Sequence, residues 1–430
     1  MSGVLSFKSR VALTLLSRGL MIGLGLLSSI VTARWLGPEG RGLLANLSVI
    51  TGLALQFGTL GLHAGNSYFV ARDPARAPAA LGNSVRLGLA LGGAAALMAI
   101  GAGALRPDLL AGVPLSLVVV TAATLPFQFM GFFAQHILLA LNDVKAFNLV
   151  ELLSKSLTFG LLAGYLIAFS GGPEGAVVLM AVTGTAFGIV PVLWCARRVS
   201  WRAGFDRPLF AAMIRYGVRS YLACLLMFLV IRSDMLMVNY FAGVAAAGVY
   251  SIAVQIGDML LLLPVTIGMI LFPRIAAEAP AEREAVTARV TRHAALLLTI
   301  LCAAAFVLVE PVVTILYGAP FHEAIPATRW LLPGIWALGM NGILMNHFAG
   351  QGLPWIVVWT PLAGLVVNCI LNLRLIPALG LVGASCSSSV AYGLMLLIAL
   401  AFFLRRSGAG LRRTFILGPE EIAGLLGLRP

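Results

Sequence analysis

Charge is scarce in this chain. Charged residues fill 10% of its 430 positions, against roughly 25% in a soluble domain, which excludes a globule solvated on every side. Lysine is scarcer still, with only Lys8, Lys145 and Lys155 among 29 basic residues, a bias of genome composition rather than chemistry. The five cysteines, Cys195, Cys224, Cys302, Cys369 and Cys386, lie scattered in or beside apolar segments. None forms a C-x-x-C pair or stands at metal-ligand spacing from a histidine, so they read as small core residues rather than a redox or zinc site. No G-x-x-x-x-G-K-[ST] phosphate cradle is present, which argues against direct ATP use. Apart from two stretches, the links between apolar runs are only a few residues long. That leaves no room for the extramembrane catalytic domain of a glycosyltransferase or ligase, and the chain is expected to be no enzyme and to hold no metal or cofactor.

Long apolar runs are what the sequence has instead. Hydrophobic residues make up 60% of it, in runs of ~20 residues or more that match a ~30 Å hydrocarbon core. Spanning strands would show ~10-residue alternating segments, so the fold class is all-α integral membrane. The breaks predict twelve helices near 11–34, 43–71, 82–105, 113–140, 146–169, 175–197, 213–241, 246–275, 292–317, 327–349, 354–377 and 381–404. The first run, Val11 to Ala33, exceeds the ~7–15 residues of a signal-peptide core and carries Arg18, so it reads as a retained helix.

The net charge of +13 does not imply nucleic acid, because the basic residues are spread through loops. With a cytoplasmic N-terminus, inside loops hold twenty-one Lys and Arg residues, and outside loops hold Arg34, Arg41, Arg106, Arg329 and Arg374. The positive-inside rule then places both termini in the cytoplasm.

The two halves resemble each other. LGPEGRGLLANL from Leu36 aligns with AGVAAAGVYSIA from Ala242, and GGPEGAVVLMA from Gly171 with LGLVGASCSSS from Leu379. Gly37, Gly42 and Gly175 thereby fall over Gly243, Gly248 and Gly383. Six helices per repeat make both repeats enter from the same side, giving two pseudo-symmetric six-helix lobes around a central cavity. The expected division is an N-terminal lobe over 1–200, a cytoplasmic linker over 201–215, a C-terminal lobe over 216–410 and a cytoplasmic tail over 411–430. The basic linker reads as a topology determinant or as a contact for anionic head groups. Ala276 to His293 reads as a solvated helical extension, and the tail as a segment lying in the interface.

Ionisable residues inside membrane helices are functional candidates: Arg18, Glu151, Lys155, Arg232, Asp234, Asp258 and Glu310. Arg18 and Lys155 fall at the same level of the first lobe and could together hold a phosphate; alternatively, Glu151 and Lys155 pair at i and i+4. Arg232 and Asp234 are central to the seventh helix and Asp258 to the eighth, where they form either a static buried pair or a site whose pairing changes with a bound anion or proton. Residues two apart face different sides, so Arg232 and Asp234 need not act together. Gln56, His63, Asn66, Gln255 and Asn341 are candidates for hydrogen bonds across helices.

The runs ARWLGPEGRG from Ala33, RSDMLMVNYFAGVAAAGVYSIA from Arg232, LYGAPFHEAIPATRWLLPG from Leu316 and IPALGLVGASCSSSVAY from Ile376 resemble the polysaccharide flippases of the multidrug/oligosaccharidyl-lipid/polysaccharide exporter superfamily. The resemblance covers nearly the whole chain. It implies translocation of an undecaprenyl-pyrophosphate-linked oligosaccharide between leaflets of the bacterial inner membrane by alternating access. It also implies pyrophosphate contacts from Arg18 and Arg232, and Lys155 joins them as a substrate-binding candidate by its level in the first lobe. No gated sodium or proton site carries over from the family, and Asp234, Asp258 and Glu151 stand as candidate coupling or gating groups on their position inside helices alone. The implied partners are the lipid-linked oligosaccharide, membrane lipids, and polysaccharide polymerase and chain-length proteins. The drug-exporting branch has an acidic cation site in the first lobe that is not evident here. A cation-coupled exporter of small organic molecules and a non-transporting membrane scaffold remain as alternatives.

Overall fold

A computed structural model describes residues 7–110, 112–199, 204–277, 279–352, 355–407 and 414–415. Among them no strand forms, and eleven α-helices carry the chain: α1 Phe7–Gly58, α2 Leu62–Arg72, α3 Ala77–Leu105, α4 Leu115–Ala122, α5 Leu125–Ala140, α6 Val144–Phe169, α7 Pro173–Arg198, α8 Arg207–Ala277, α9 Pro280–Val312, α10 Ala324–Gly350 and α11 Ile356–Ser407. Each of the twelve expected spans falls mostly on helix, and among the described residues eight helical stretches, some containing kinks, are long and apolar enough to cross a membrane.

The boundaries differ from expectation in both directions. Helix continues through the links near 35–42, 242–245 and 378–380, so α1, α8 and α11 each merge two expected spans across one non-helical glycine: Gly37, Gly243 and Gly380 respectively. At Gly37 the break and the restart are adjacent, because Pro38 tolerates the first turn of a new helix, where its missing N–H has no partner to lose. Conversely, the second expected span divides between α1 and α2 around Leu60 and Gly61, both at positive φ. The fourth divides at Ala123 and Thr124 between α4 and α5. The expected tail segment lies outside the described residues apart from Thr414 and Phe415, and the expected linker lies outside them over 201–203.

By internal packing the chain forms two compact units: residues 1–228 with 243–248, and residues 229–242 with 249–430. In lipid, apolar burial does not drive helices together; close packing does. The first unit packs accordingly. An added Cβ on Gly88 would strike Met130, one on Gly92 would strike Pro126, and Gly131 and Gly188 bring α5 and α7 into backbone contact. Phe129, Phe133, Leu81, Ile137 and Leu138 fill the remaining core. Asn83 of α3 fastens the start of α8 by donating to the Asp206 carbonyl (2.9 Å) and accepting from the Asp206 N–H (2.8 Å). The Asp206 carboxylate in turn caps α8 by accepting from the Leu209 N–H at 2.9 Å.

The repeat detected in the sequence has a geometric counterpart inside this unit. Gly37 (φ 66°, ψ −173°) and Gly243 (φ 86°, ψ 172°) adopt the same conformation, one nearly confined to glycine. A Cβ on Gly42 would collide with the Val244 carbonyl, and one on Gly248 with the Pro38 carbonyl. The same 206-position shift relates Gly42 to Gly248 and Pro38 to Val244, so the two contacts are images of one another.

In the second unit α10 is the central helix, packed by α9 and α11. Ser389 of α11 donates to the Trp330 carbonyl (2.6 Å) and accepts from the Gly334 N–H (3.1 Å), pinning α11 to α10. Thr287 of α9 and His347 of α10 share a 2.7 Å hydrogen bond. The central position explains why α10 carries polar residues such as Asn341 and His347 without meeting lipid: both are buried.

Candidate functional site

The first unit contains a cavity of about 410 Å³ bounded by α1, α4, α5, α6 and α7. That volume lies in the ~300–1,000 Å³ range of small-molecule sites. Leu44, Leu47, Leu55, Val177 and Met180 form apolar walls, with Phe132 and Phe187 among them. The rest of the lining is polar. Ser48 and Thr51 come from α1, Thr121 from α4, Gln128 and Gln135 from α5, Ser154, Lys155 and Thr158 from α6, and Thr183 from α7, with Thr124 at the α4–α5 junction. Each of these sits in a run that is otherwise apolar, which is how helical periodicity collects polar groups on one inward face.

Lys155 is the one charged group among the described lining residues. Glu151, one turn earlier on α6, is half-buried, is not part of the lining and forms no ion pair with Lys155. The i,i+4 pair that the sequence permits is therefore not made, and Lys155 lines the cavity instead. The other proposed phosphate contact, Arg18, falls within α1, but its side chain lies outside the described residues.

The second unit holds the remaining candidates, divided by helical geometry. Arg232 donates from Nη2 to Asp258 Oδ2 at 2.8 Å, with the two side chains 29% and 41% exposed. Asp234 points elsewhere and is buried. It accepts from the Tyr250 hydroxyl (2.7 Å), the Ser388 hydroxyl (3.1 Å) and the Met235 N–H (2.8 Å). The network extends beyond Asp234, since Asn368 Nδ2 donates to Ser388 Oγ at 3.2 Å and Asn372 Nδ2 to Asn368 Oδ1 at 2.9 Å. Asn372 Oδ1 ends it buried and without a partner.

Glu310 leaves the candidate set: it pairs with Arg329 at 3.0 Å on an exposed surface. Asn66 bridges helices as expected, donating to Ser84 Oγ (2.9 Å) and the Phe133 carbonyl (3.2 Å). Asn341 does not, and both of its side-chain polar atoms are buried and unpartnered. His63 is not alone, for the His136 ring lies 5.1 Å from it and the Phe132 ring 5.3 Å. Among the described residues no group of three His, Cys, Asp or Glu side chains comes together to hold a metal ion.

The sequence reading missed Tyr250, Ser388, Asn368, Asn372 and the hydroxyl groups around Lys155. The Asn368/Asn372 spacing on an apolar helix was a usable signal. Tyr250 and Ser388 were not recognisable, because only tertiary packing brings Tyr250, beyond the Gly243 break of α8, and α11 to Asp234.

Comparison with solved structures gives the fold. An inward-facing multidrug resistance MATE family transporter of the MOP superfamily superposes with a TM-score of 0.73 at 17% identity, covering 90% of this chain and 94% of that one. The lipid II flippase MurJ in an inward closed conformation gives 0.72 at 12% identity, covering 92% and 90%. An outward-facing MATE transporter gives 0.63 at 18% identity, covering 93% and 96%. Comparison with curated proteins gives no match. A family model described as polysaccharide biosynthesis protein matches residues 31–326, more than half of the chain, and on that match this multi-pass membrane protein belongs to the polysaccharide biosynthesis protein family.

Proposed function

We propose that this protein translocates a lipid-linked oligosaccharide, carried on undecaprenyl pyrophosphate, from the cytoplasmic to the periplasmic leaflet for surface polysaccharide assembly. The observation that carries this reading is the first-unit cavity, which offers hydroxyl and amide groups and one ammonium within a helix bundle of membrane-spanning length. A glycan head group crossing ~30 Å of hydrocarbon needs hydrogen-bonding partners to replace water. Family membership and the likeness in fold to a lipid II flippase support it.

Arg232 is the second head-group contact in this reading. Its guanidinium is partly exposed, so an incoming diphosphate can compete with Asp258 for it through charge-assisted hydrogen bonds. The basic residues favour a bacterial inner-membrane protein with both termini cytoplasmic, operating by transport rather than bond making, beside a polymerase and chain-length proteins. The likeness to MATE transporters raises export of organic cations as a second reading. A lining with one ammonium and, among the described residues, no carboxylate is poorly matched to a cationic substrate.

The test is a leaflet-accessibility assay in proteoliposomes with fluorescent undecaprenyl-pyrophosphate oligosaccharide, comparing wild type, Lys155→Ala and Arg232→Ala, with folding checked by thermal melting. Flipping by wild type and its loss in folded variants supports the reading. Absence of flipping in wild type, together with efflux of an organic cation, replaces it with the exporter.

A further inference from the structure

We infer that the first-unit cavity receives an acidic sugar of the glycan, a residue bearing one carboxylate, with Lys155 as its counter-ion. The inference rests on the translocation reading and names the substrate class within it.

Three features of the lining lead there. The first is the direction of its hydrogen bonds. Ser48 donates its hydroxyl proton to the Leu44 carbonyl at 2.7 Å, Thr51 to the Leu47 carbonyl at 2.8 Å, and Thr183 to the Leu179 carbonyl at 3.0 Å. With their protons committed to their own helices, these oxygens offer lone pairs to a ligand. A lining of acceptors suits a donor-rich polyol.

The second is the composition of the α6 wall. Lys155, Ser154 and Thr158 on α6 line the cavity without forming an ion pair or hydrogen bond among themselves or with another described residue. Their donors are available to an acceptor-rich group on the ligand. The two sets of groups together match a sugar ring that carries both hydroxyls and an anion. Phe132 and Phe187 add apolar faces against which the C–H side of a ring can lie.

The third is the amount of charge. One ammonium balances one carboxylate, whereas a pyrophosphate carries more than one negative charge and leaves the remainder to be desolvated without a partner. The described lining supplies no second cation. Among the described lining residues the single ammonium matches a carboxylate better than a pyrophosphate, and the pyrophosphate is left to other cations of the chain.

The test uses the purified full-length protein in detergent and measures binding of three probes by thermophoresis: a glucuronic-acid-terminated disaccharide, its methyl ester, and the corresponding neutral glucose-terminated disaccharide. Inorganic pyrophosphate is added as competitor. Wild type is expected to bind the acidic disaccharide about tenfold more tightly than the other two, a ratio equivalent to ~1.4 kcal/mol, and pyrophosphate should not displace it. Lys155→Gln should lose the preference while still binding the neutral sugar, and Lys155→Arg should retain it. The methyl ester makes the same comparison without any variant, should Lys155→Gln fail to fold. Equal binding of all three probes by wild type overturns the inference, as does displacement by pyrophosphate that Lys155→Gln abolishes. If no disaccharide binds while wild type still flips the lipid-linked glycan, the assignment of the cavity fails and translocation stands; if flipping is absent too, the functional reading itself fails.

Discussion

Arg232 and Asp258, twenty-six positions apart on α8, close a 2.8 Å ion pair from opposite sides of the break at Gly243. Both side chains are partly exposed, so the pair differs from Asp234 two residues away, which is buried and satisfied by three donors. One helix thus carries one accessible charge pair and one enclosed polar network, and the two should respond differently to substitution.

Removing Asp258 frees Arg232, and removing Arg232 strands Asp258. Because a partly exposed pair contributes only about 0–1 kcal/mol, Asp258→Asn should shift the melting temperature by a few degrees at most. Glycan flipping should persist or increase in that variant, since the competing carboxylate is gone. Arg232→Ala should abolish flipping at a similar melting temperature. A comparable loss of activity in both variants would mean that the ion pair itself, rather than the arginine, is required.

The Asp234 network predicts the opposite balance. Tyr250→Phe leaves a buried carboxylate short of one donor, a loss of roughly 1–3 kcal/mol, and Ser388→Ala should cost a similar amount because it also strands Asn368. Thermal melting of the two single variants and of the double variant checks this. A shared carboxylate predicts non-additive losses, with a coupling of ~0.5–3 kcal/mol. Strict additivity would show that the two hydroxyls do not act on a common acceptor.

The paired glycines give a purely steric prediction. Gly42→Val and Gly248→Val each drive a side chain into a backbone carbonyl of the facing segment, and overpacking of this kind costs about 1–3 kcal/mol. Losses should match between the two variants, because one contact is the image of the other. Gly37→Ala and Gly243→Ala should also lower the melting temperature, through the positive φ alone, although neither added Cβ meets a neighbour within 4 Å.

These glycines show what the sequence could disclose. Run length put the expected spans on helix, since lipid imposes helix length directly, and the constant shift between Gly37/Gly42 and Gly243/Gly248 exposed the repeat. The merging of spans through Gly37, Gly243 and Gly380 was not legible, because a glycine or Gly-Pro break reads as a loop whether or not the next helix continues at once. Within the candidate site, ionisable residues were conspicuous by their rarity, and the different orientations of Arg232 and Asp234 followed from helical geometry. The hydroxyls that face Lys155 were not, since Ser and Thr occur throughout these helices and only three-dimensional packing selects those on the inward face.

Those hydroxyls support a final prediction that separates activity from stability. Thr51 donates to the Leu47 carbonyl and also lines the cavity. Bonding back onto one's own helix adds little to its stability, so Thr51→Val, which keeps the shape and removes the acceptor oxygen, should leave the melting temperature within about 0.5 kcal/mol of wild type. Glycan flipping should fall several-fold, because a sugar hydroxyl entering the cavity then faces a methyl group and loses a hydrogen bond of about 0.5–1.5 kcal/mol. Thr266→Val is the control, for Thr266 makes the equivalent 2.7 Å bond to the Leu262 carbonyl, is exposed and does not line the cavity. If the two variants flip glycan equally, hydroxyl groups in the cavity do not contact the substrate. If Thr51→Val alone loses activity at unchanged stability, the acceptor lining is part of the transport path.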